Sequence, residues 1–390
     1  MSSNIIYLDN NATTCVAPEV FEAMTPYLTE FYGNPSSIHR FGGQLAAKVE
    51  EARAQLGALI GAQNSEIIFT SCGTESDTTA IRSALSICPK RRKVVISKVE
   101  HPAVLNLGKE LERNGYKVSI IPVDARGRLD MDRAREMIDS ETAVVSVMWA
   151  NNETGNIQPV IELGELARKN GALFHTDAVQ AVGKVPMNLA ELPIDMLSLS
   201  GHKFHAPKGI GALYVKRGVR FHPYIIGGHQ EHGRRAGTEN LASIVGLGKA
   251  AELALANIGH ENTAVRALRD KLEQGVLASI PSVRINGDVE HRLPNTANIS
   301  FEYIEGESIL MLLDMHNICA SSGSACTTGS LEPSHVLRAM GVPYTAAHGS
   351  IRFSFSRYNT EAEVDRVLEV LPPVIARLRE ISPYWKQQQN

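Results

Sequence analysis

From about residue 65 to 215 the chain alternates between two hydrophobic rhythms. Short runs rich in β-branched and aromatic residues recur: "EIIFT", "KVVIS", "KVSIIPV", "TAVVSVMW", "ALFHTDA", "DMLSLS" and "GALYV". Between them lie stretches with helical spacing of apolar positions, such as "TESDTTAIRSAL" and "VIELGELARKNG", the second ending at a glycine stop. Strands alternating with helices predict an α/β fold, a mostly parallel sheet sandwiched by helices. In such sheets the loops that leave the carboxyl ends of the strands build the functional site. After residue 260 the rhythm changes: a long helix near 262 to 280, "TANISFEYI", a Ser/Gly-rich loop, "IRFSFS" and a final helix. This pattern predicts a large α/β domain over residues 13–259 and a small α+β domain over 260–390, the latter completed by residues 1–12.

The 390 residues are enough for two such cores. Composition is ordinary for a globular chain, with 43% hydrophobic and 21% charged residues. A net charge of -3 leaves no polybasic footprint, so neither nucleic acid nor an anionic membrane is expected as a partner. "MSSNIIYLDN" lacks the basic start and apolar run of a signal peptide, and no apolar run of membrane-spanning length is expected. Cysteines stand at positions 15, 72, 88, 319 and 326, odd in number and without a CxxC. That usage predicts reduced thiols and a cytoplasmic location.

Chemistry concentrates where strands end. "FTSCGTESD" is a strand, a turn with Gly73, and a helix start with Thr74 and Glu75. Such a helix N-terminus suits a phosphate, and a simply capped helix is an equal reading. "HTDAVQAVGK" puts Asp177 and Gln180 just past an apolar strand, as a capped turn or as functional groups. "SLSGHKFHAPKG" ends a strand in Ser200, His202 and Lys203. A lysine there is either a solvated surface group or one whose amine is set up for Schiff-base chemistry. "EHP" adds His101 at another strand-to-helix junction. Neither a P-loop nor a GxGxxG follows a strand. His202 with His205, and His229 with His232, are spaced by three, but no HExxH or Cys–His pattern supports a metal site.

The remaining puzzle is "SSGSACTTGS", residues 321–330, a lone Cys326 among residues that have little to pack with. Together with "YLDNNATT", "GNPSSIH", "FTSCGTESD", "VEHPAV", "SVMWANNETG", "FHTDAVQAVGK", "SGHKFHAPKG", "RRAGTEN", "RLPNTANISFEYIEGE" and "IRFSFSRYNT", it closely resembles one family nearly end to end. These motifs, in this order, resemble the NifS-type cysteine desulfurases, which are class V, fold-type I pyridoxal phosphate enzymes. "MWANNETG" and "GSLEPSH" look like the nitrogen-fixation branch more than the housekeeping one, while "CTTGS" replaces the more usual "CTSGS".

The resemblance implies pyridoxal 5'-phosphate as cofactor and a role for each matching position. Lys203 would hold the cofactor covalently and move protons at the substrate α-carbon. Asp177 would sit against the pyridine nitrogen, and His101 would stack on the ring and serve as an acid–base group. Gln180 would bond the phenolic oxygen, and Asn152 would lie beside ring and substrate. Gly73, Thr74, Ser200 and His202 would cradle the phosphate, with Thr238 supplied by the facing subunit of a homodimer. Arg352 would clamp the carboxylate of the L-cysteine substrate. Cys326 would take the substrate's sulfur as a persulfide, leaving L-alanine, and carry it out on its tether to an iron–sulfur scaffold protein of the NifU kind. No metal is implied in the isolated enzyme, although Cys326 could contact a cluster transiently in that complex. A selenocysteine lyase and a class V aminotransferase are the enzymatic rivals. The second needs no cysteine on such a loop. A non-enzymatic sulfur-delivery protein would not need Lys203, Asp177 and Arg352 together.

Overall fold

The computed structural model describes residues 5–322 and 333–388. Its strands are β1 (Ile6–Tyr7), β2 (Ile67–Thr70), β3 (Lys93–Ser97), β4 (Lys117–Ile121), β5 (Thr142–Ser146), β6 (Leu173–Asp177), β7 (Met196–Ser200), β8 (Gly211–Val215), β9 (Val283–Ile285), β10 (Thr296–Phe301), β11 (Ile318–Cys319) and β12 (Ser350–Ser354). Seven of them form one sheet in the order β2-β8-β7-β6-β5-β3-β4. Only β8 runs against the rest. The α/β expectation of a mostly parallel, helix-flanked sheet is therefore met.

Period-two alternation explains the layering. Phe69, Val95, Val145, Leu197 and Tyr214 point into one core, whereas Ile68, Val94, Val144, Met196 and Leu213 belong to another. Successive strand residues face opposite sides, so a sheet buried on both faces needs an almost unbroken apolar run. β3, β5 and β7 are buried at every position. Because the six other strands run the same way, β2, β3, β5, β6 and β7 all release their chain at one edge. Thr70, Ser97, Ser146, Asp177 and Ser200 end there.

A third core holds Leu8, Val265, Leu272, Ile299, Phe301, Phe353 and Val367. It lies under the antiparallel sheet β12-β10-β9 and the pair β1-β11. The N-terminal segment runs alongside β12, with Ser354 N donating to Leu8 O at 2.7 Å.

The expected helix near 262 to 280 is only the second half of a longer one. Leu241–His260, a π-helical turn at Glu261–Val265 and Arg266–Ser279 follow without a break. Residue 260 thus falls inside a helix and not in a linker. Nothing in "NIGHENTAV" stops a helix, and the wider turn rotates its buried face. Ala254 before the turn packs in the large core, and Val265, the turn's last residue, packs in the small one. An 18-residue window of this helix, mean hydropathy 1.4, is long and apolar enough to cross a membrane by composition, contrary to the expectation of no such run. Here that apolar content packs against the helices Pro18–Thr29 and Ala46–Ile60.

Candidate active site

The strand ends surround a cavity of about 350 Å³, within the usual range for small-molecule sites. Gly73, Thr74, His101, Asn152, Asp177, Gln180, Ser200, His202, Lys203 and Arg352 all line it. Two expected site residues remain. Thr238 is exposed, away from this cavity of its own chain. Cys326 lies outside the described residues.

Lys203 ends a short 3₁₀ turn, Gly201–Lys203, directly after β7. Its Nζ donates to the carbonyls of Asn11 at 2.6 Å and Ala12 at 2.8 Å. The turn is tightly packed: a Cβ on Gly201 would come within 2.8 Å of the Ala206 Cβ and 2.9 Å of Leu247. Neighbouring His202 meets the Thr13 hydroxyl at 3.1 Å through Nδ1. Burial, reinforced by Lys203 and Lys208, lowers its pKa to about 4, so it is neutral near pH 7.

Asp177 closes β6 and is buried, with Oδ1 accepting from Val179 N at 2.9 Å. Burial raises its pKa, opposed by His101, the Val179 amide and Lys203. His101 caps the helix Pro102–Arg113, its Nδ1 accepting from Ala103 N at 3.2 Å. That bond leaves the proton of the neutral ring on Nε2. Burial lowers the His101 pKa, Asp177 partly opposes this, and Lys203 lowers it further. The ring is therefore neutral near pH 7, with Nε2–H as a donor and Nδ1 held by Ala103 N.

Gly73 begins the helix Gly73–Ile87. A side chain there would strike Val179 Cγ2 at 2.8 Å, so only glycine brings this helix end so close. Arg352 sits in the middle of β12. Nη1 donates to Asn152 O at 2.8 Å and Nη2 to Asp9 Oδ1 at 2.7 Å, while Nε is buried without a partner. The guanidinium is thereby held at two points with donor capacity left for an anion.

Three groups here had no role assigned from the motifs. Asn11 is a hub: its carbonyl accepts from Lys203 and from Gln180 Nε2 at 2.9 Å, and its side chain bonds Thr296 at 2.8 Å and Asn295 at 3.0 Å. The motif "YLDNNATT" was its only signal. Asp77, fully buried on the cavity wall, has its pKa pushed well up by burial and by Asp177. It lies 3.7 Å from His175, whose ring nitrogens meet the hydroxyls of Ser146 and Ser198 at 2.8 and 2.9 Å. Cys72 also borders the cavity.

Does pyridoxal phosphate fit these residues? Gln180 Oε1 and Ser200 Oγ are buried polar atoms without a protein partner, and both residues face the cavity. Buried polar groups in native proteins nearly always have partners, so these two mark where a polar ligand belongs. A lysine, a buried carboxylate and a glycine-started helix converge on the same space, which is the donor set a phosphorylated pyridine aldehyde requires. The residues fit the group. Among the described residues, one cluster has metal-ligating spacing, Asp288, Glu290 and His291, and Arg128 already stands 3.5 Å from the Asp288 carboxylate.

The profile of the class-V aminotransferase family matches residues 6–367. The chain is 60% identical, over 99% of its length and 98% of the relative's, to a cysteine desulfurase of Trichormus azollae. It is 61% identical to the cysteine desulfurase NifS of Azotobacter vinelandii, covering 97% of this chain and 95% of that one. A solved structure described as a NifS-like protein superposes with a TM-score of 0.90 at 39% identity, over 96% of this chain and 100% of its own. The lysine, aspartate and arginine gathered around one cavity are thus those of a known lineage: the chain belongs to the class-V aminotransferase family of fold-type I pyridoxal phosphate enzymes, among its NifS-like cysteine desulfurases.

Proposed function

We propose that this protein converts L-cysteine to L-alanine and takes the released sulfur as a persulfide on Cys326, supplying it for iron–sulfur cluster assembly. The observation that carries the reading is the convergence of Lys203, Asp177, His101 and Arg352 on one cavity, in a chain whose relatives are cysteine desulfurases over their whole length. Pyridoxal phosphate, when bound, supplies an electron sink for the substrate's α-carbon. Every other task falls to the chain. Arg352, braced by Asp9 and Asn152, orients the substrate carboxylate. Lys203 holds the cofactor and then takes and returns the proton at the α-carbon. Asp177 keeps the pyridine nitrogen protonated. His101 is the acid–base group for the thiol of substrate or of Cys326, taking its proton on Nδ1 as Ala103 N releases that nitrogen, because a free thiol is only a small fraction thiolate at neutral pH. Cys326 bonds to the substrate sulfur as the carbon–sulfur bond breaks, so that cysteine and one enzyme thiol give alanine and one enzyme persulfide.

Four finer assignments belong to the same proposal. The protein works as a homodimer in which Thr238 of each subunit completes the other's phosphate cradle; its exposed position on the monomer supports this. Its acceptor is a scaffold of the NifU kind, its setting nitrogenase maturation, and its location the cytoplasm. The identity to the Azotobacter vinelandii NifS supports the nitrogen-fixation assignment. The test is direct. The purified holoenzyme, given cysteine and a reductant, should form alanine and sulfide in equal amounts. Formation of pyruvate, or transamination of a keto acid at a comparable rate, would overturn the reading.

A further inference from the structure

The segment that carries Thr238 is pinned to its own subunit at two depths. Glu231 is buried and forked by Arg53 at 2.8 and 2.9 Å, and it also accepts from Phe69 N at 2.9 Å. Glu231 and His232 hold left-handed backbone, φ 49° and 55°, which non-glycine residues adopt only under constraint. Closer to the exposed tip, Arg235 forks onto Glu75, Nε to Oε1 at 2.9 Å and Nη2 to Oε2 at 3.1 Å. Glu75 is the third residue of the helix Gly73–Ile87. The same carboxylate closes the turn into that helix, accepting from Ser71 N at 2.8 Å and Ser71 Oγ at 2.5 Å. Glu75 is largely buried and Arg235 only a quarter exposed, so the pair is sheltered.

Two consequences follow from this geometry. Glu75 is an anion in the first turn of a helix whose N-terminus faces the phosphate site, and it would repel a phosphate unless neutralised. Arg235 neutralises it. Arg235 also stands three residues before Thr238, so it fixes the root of the tip that the subunit lends away. We propose that Arg235 is a positioning residue that ties each subunit's phosphate cradle to the segment it offers its partner, so that filling one site strengthens cofactor binding at the other. This rests on the homodimer reading of Thr238.

The test uses mixed apo-dimers, each pairing one reporter subunit with a partner carrying Lys203→Ala. Only the reporter's site can then give the visible absorbance of lysine-bound cofactor. Each mixed dimer is titrated with pyridoxal phosphate. With a wild-type reporter, adding Arg235→Met to the partner should weaken the reporter's affinity, by roughly tenfold. Arg235→Lys in the partner, which keeps the charge but loses the fork, should give an intermediate value. A residue that merely stabilised its own subunit would leave the reporter unchanged, and that result overturns the proposal. Thr238→Ala in the partner is the control for the underlying reading. If it weakens the reporter while Arg235→Met does not, the clamp is wrong and the shared site stands. If it leaves the reporter unchanged, while Thr238→Ala in the reporter itself weakens binding, Thr238 acts within its own subunit and the coupling falls with it.

Discussion

Lys203 owes its position to two backbone carbonyls, of Asn11 and Ala12, that lie nearly two hundred residues away in sequence. Borohydride reduction of the holoenzyme followed by peptide mapping should place the cofactor on Lys203, and Lys203→Ala should hold none covalently; label on Lys184 or Lys208 would displace the assignment. Asp177→Asn should keep cofactor but lose most turnover, because an amide does not hold the pyridine nitrogen protonated. Steady-state kinetics and the bound-cofactor spectrum separate these two effects. Glu100, beside His101, gives a prediction about stability. Its carboxylate is fully buried, taking Ser97 Oγ and Met148 N as donors, and burial raises its pKa from 4.5 to about 8. Between those values the native chain keeps a proton that the unfolded chain has released, so stability falls as pH rises through the window. The slope reaches about 1.4 kcal/mol per pH unit. Glu153, raised to about 7, pulls the same way. Glu100→Gln removes one of these titrations and retains an acceptor for Met148 N. Its urea midpoint should therefore gain on the wild type from pH 5 to pH 8, and parallel curves would show that Glu100 is not neutral in the fold.

Among the elements, the helix ends do the positioning and the strands supply a rigid mount. β2, β3, β5, β6 and β7 end along the same edge of one sheet, whose two faces their apolar runs bury. Their polar continuations then have only the sheet's edge to occupy. The Arg53–Glu231 pair joins the helix Ala46–Ile60 to the segment bearing Thr238, and both side chains are almost fully buried. Removing one partner strands the other's charge without water. Arg53→Met should thus cost about 3–5 kcal/mol in urea unfolding. The double change Arg53→Met with Glu231→Leu should recover part of that loss, since two apolar chains of similar bulk leave no orphan charge. A double variant no better than the single one would mean the pair matters only through packing.

For the molecule as a whole, the mechanism asks one thiol to serve a buried cavity and then an acceptor outside. Cys326→Ala should divide those halves: cofactor bound, cysteine still changing the cofactor's spectrum, but neither persulfide nor appreciable alanine formed. Wild type treated with cysteine and no reductant should gain about 32 Da, one sulfur, on the peptide containing Cys326, as expected at a reactive thiol. Desulfuration by Cys326→Ala at the wild-type rate would transfer the acceptor role to another cysteine, with Cys72 on the cavity wall first in line. Much of this architecture was legible in the chain. Alternating apolar runs specify strands and their two faces by local sterics, and the polar residues just past each run mark the sheet edge, which is why Asp177, Ser200, His202 and Lys203 stand out in the sequence alone. Other features carried no local signal. Asn11 as the hub for Lys203 and Gln180, the fork between Arg235 and Glu75, and the contacts of His175 with Ser146 and Ser198 each depend on groups far apart in sequence. The helix from Leu241 to Ser279 reads through the expected boundary because helical hydrogen bonds continue wherever nothing breaks them, whichever core lies alongside. Hydrophobic period determines what an element is and which face it buries. Which buried polar groups meet is decided only when those faces pack, because a hydrogen bond depends on position in space and not on separation along the chain.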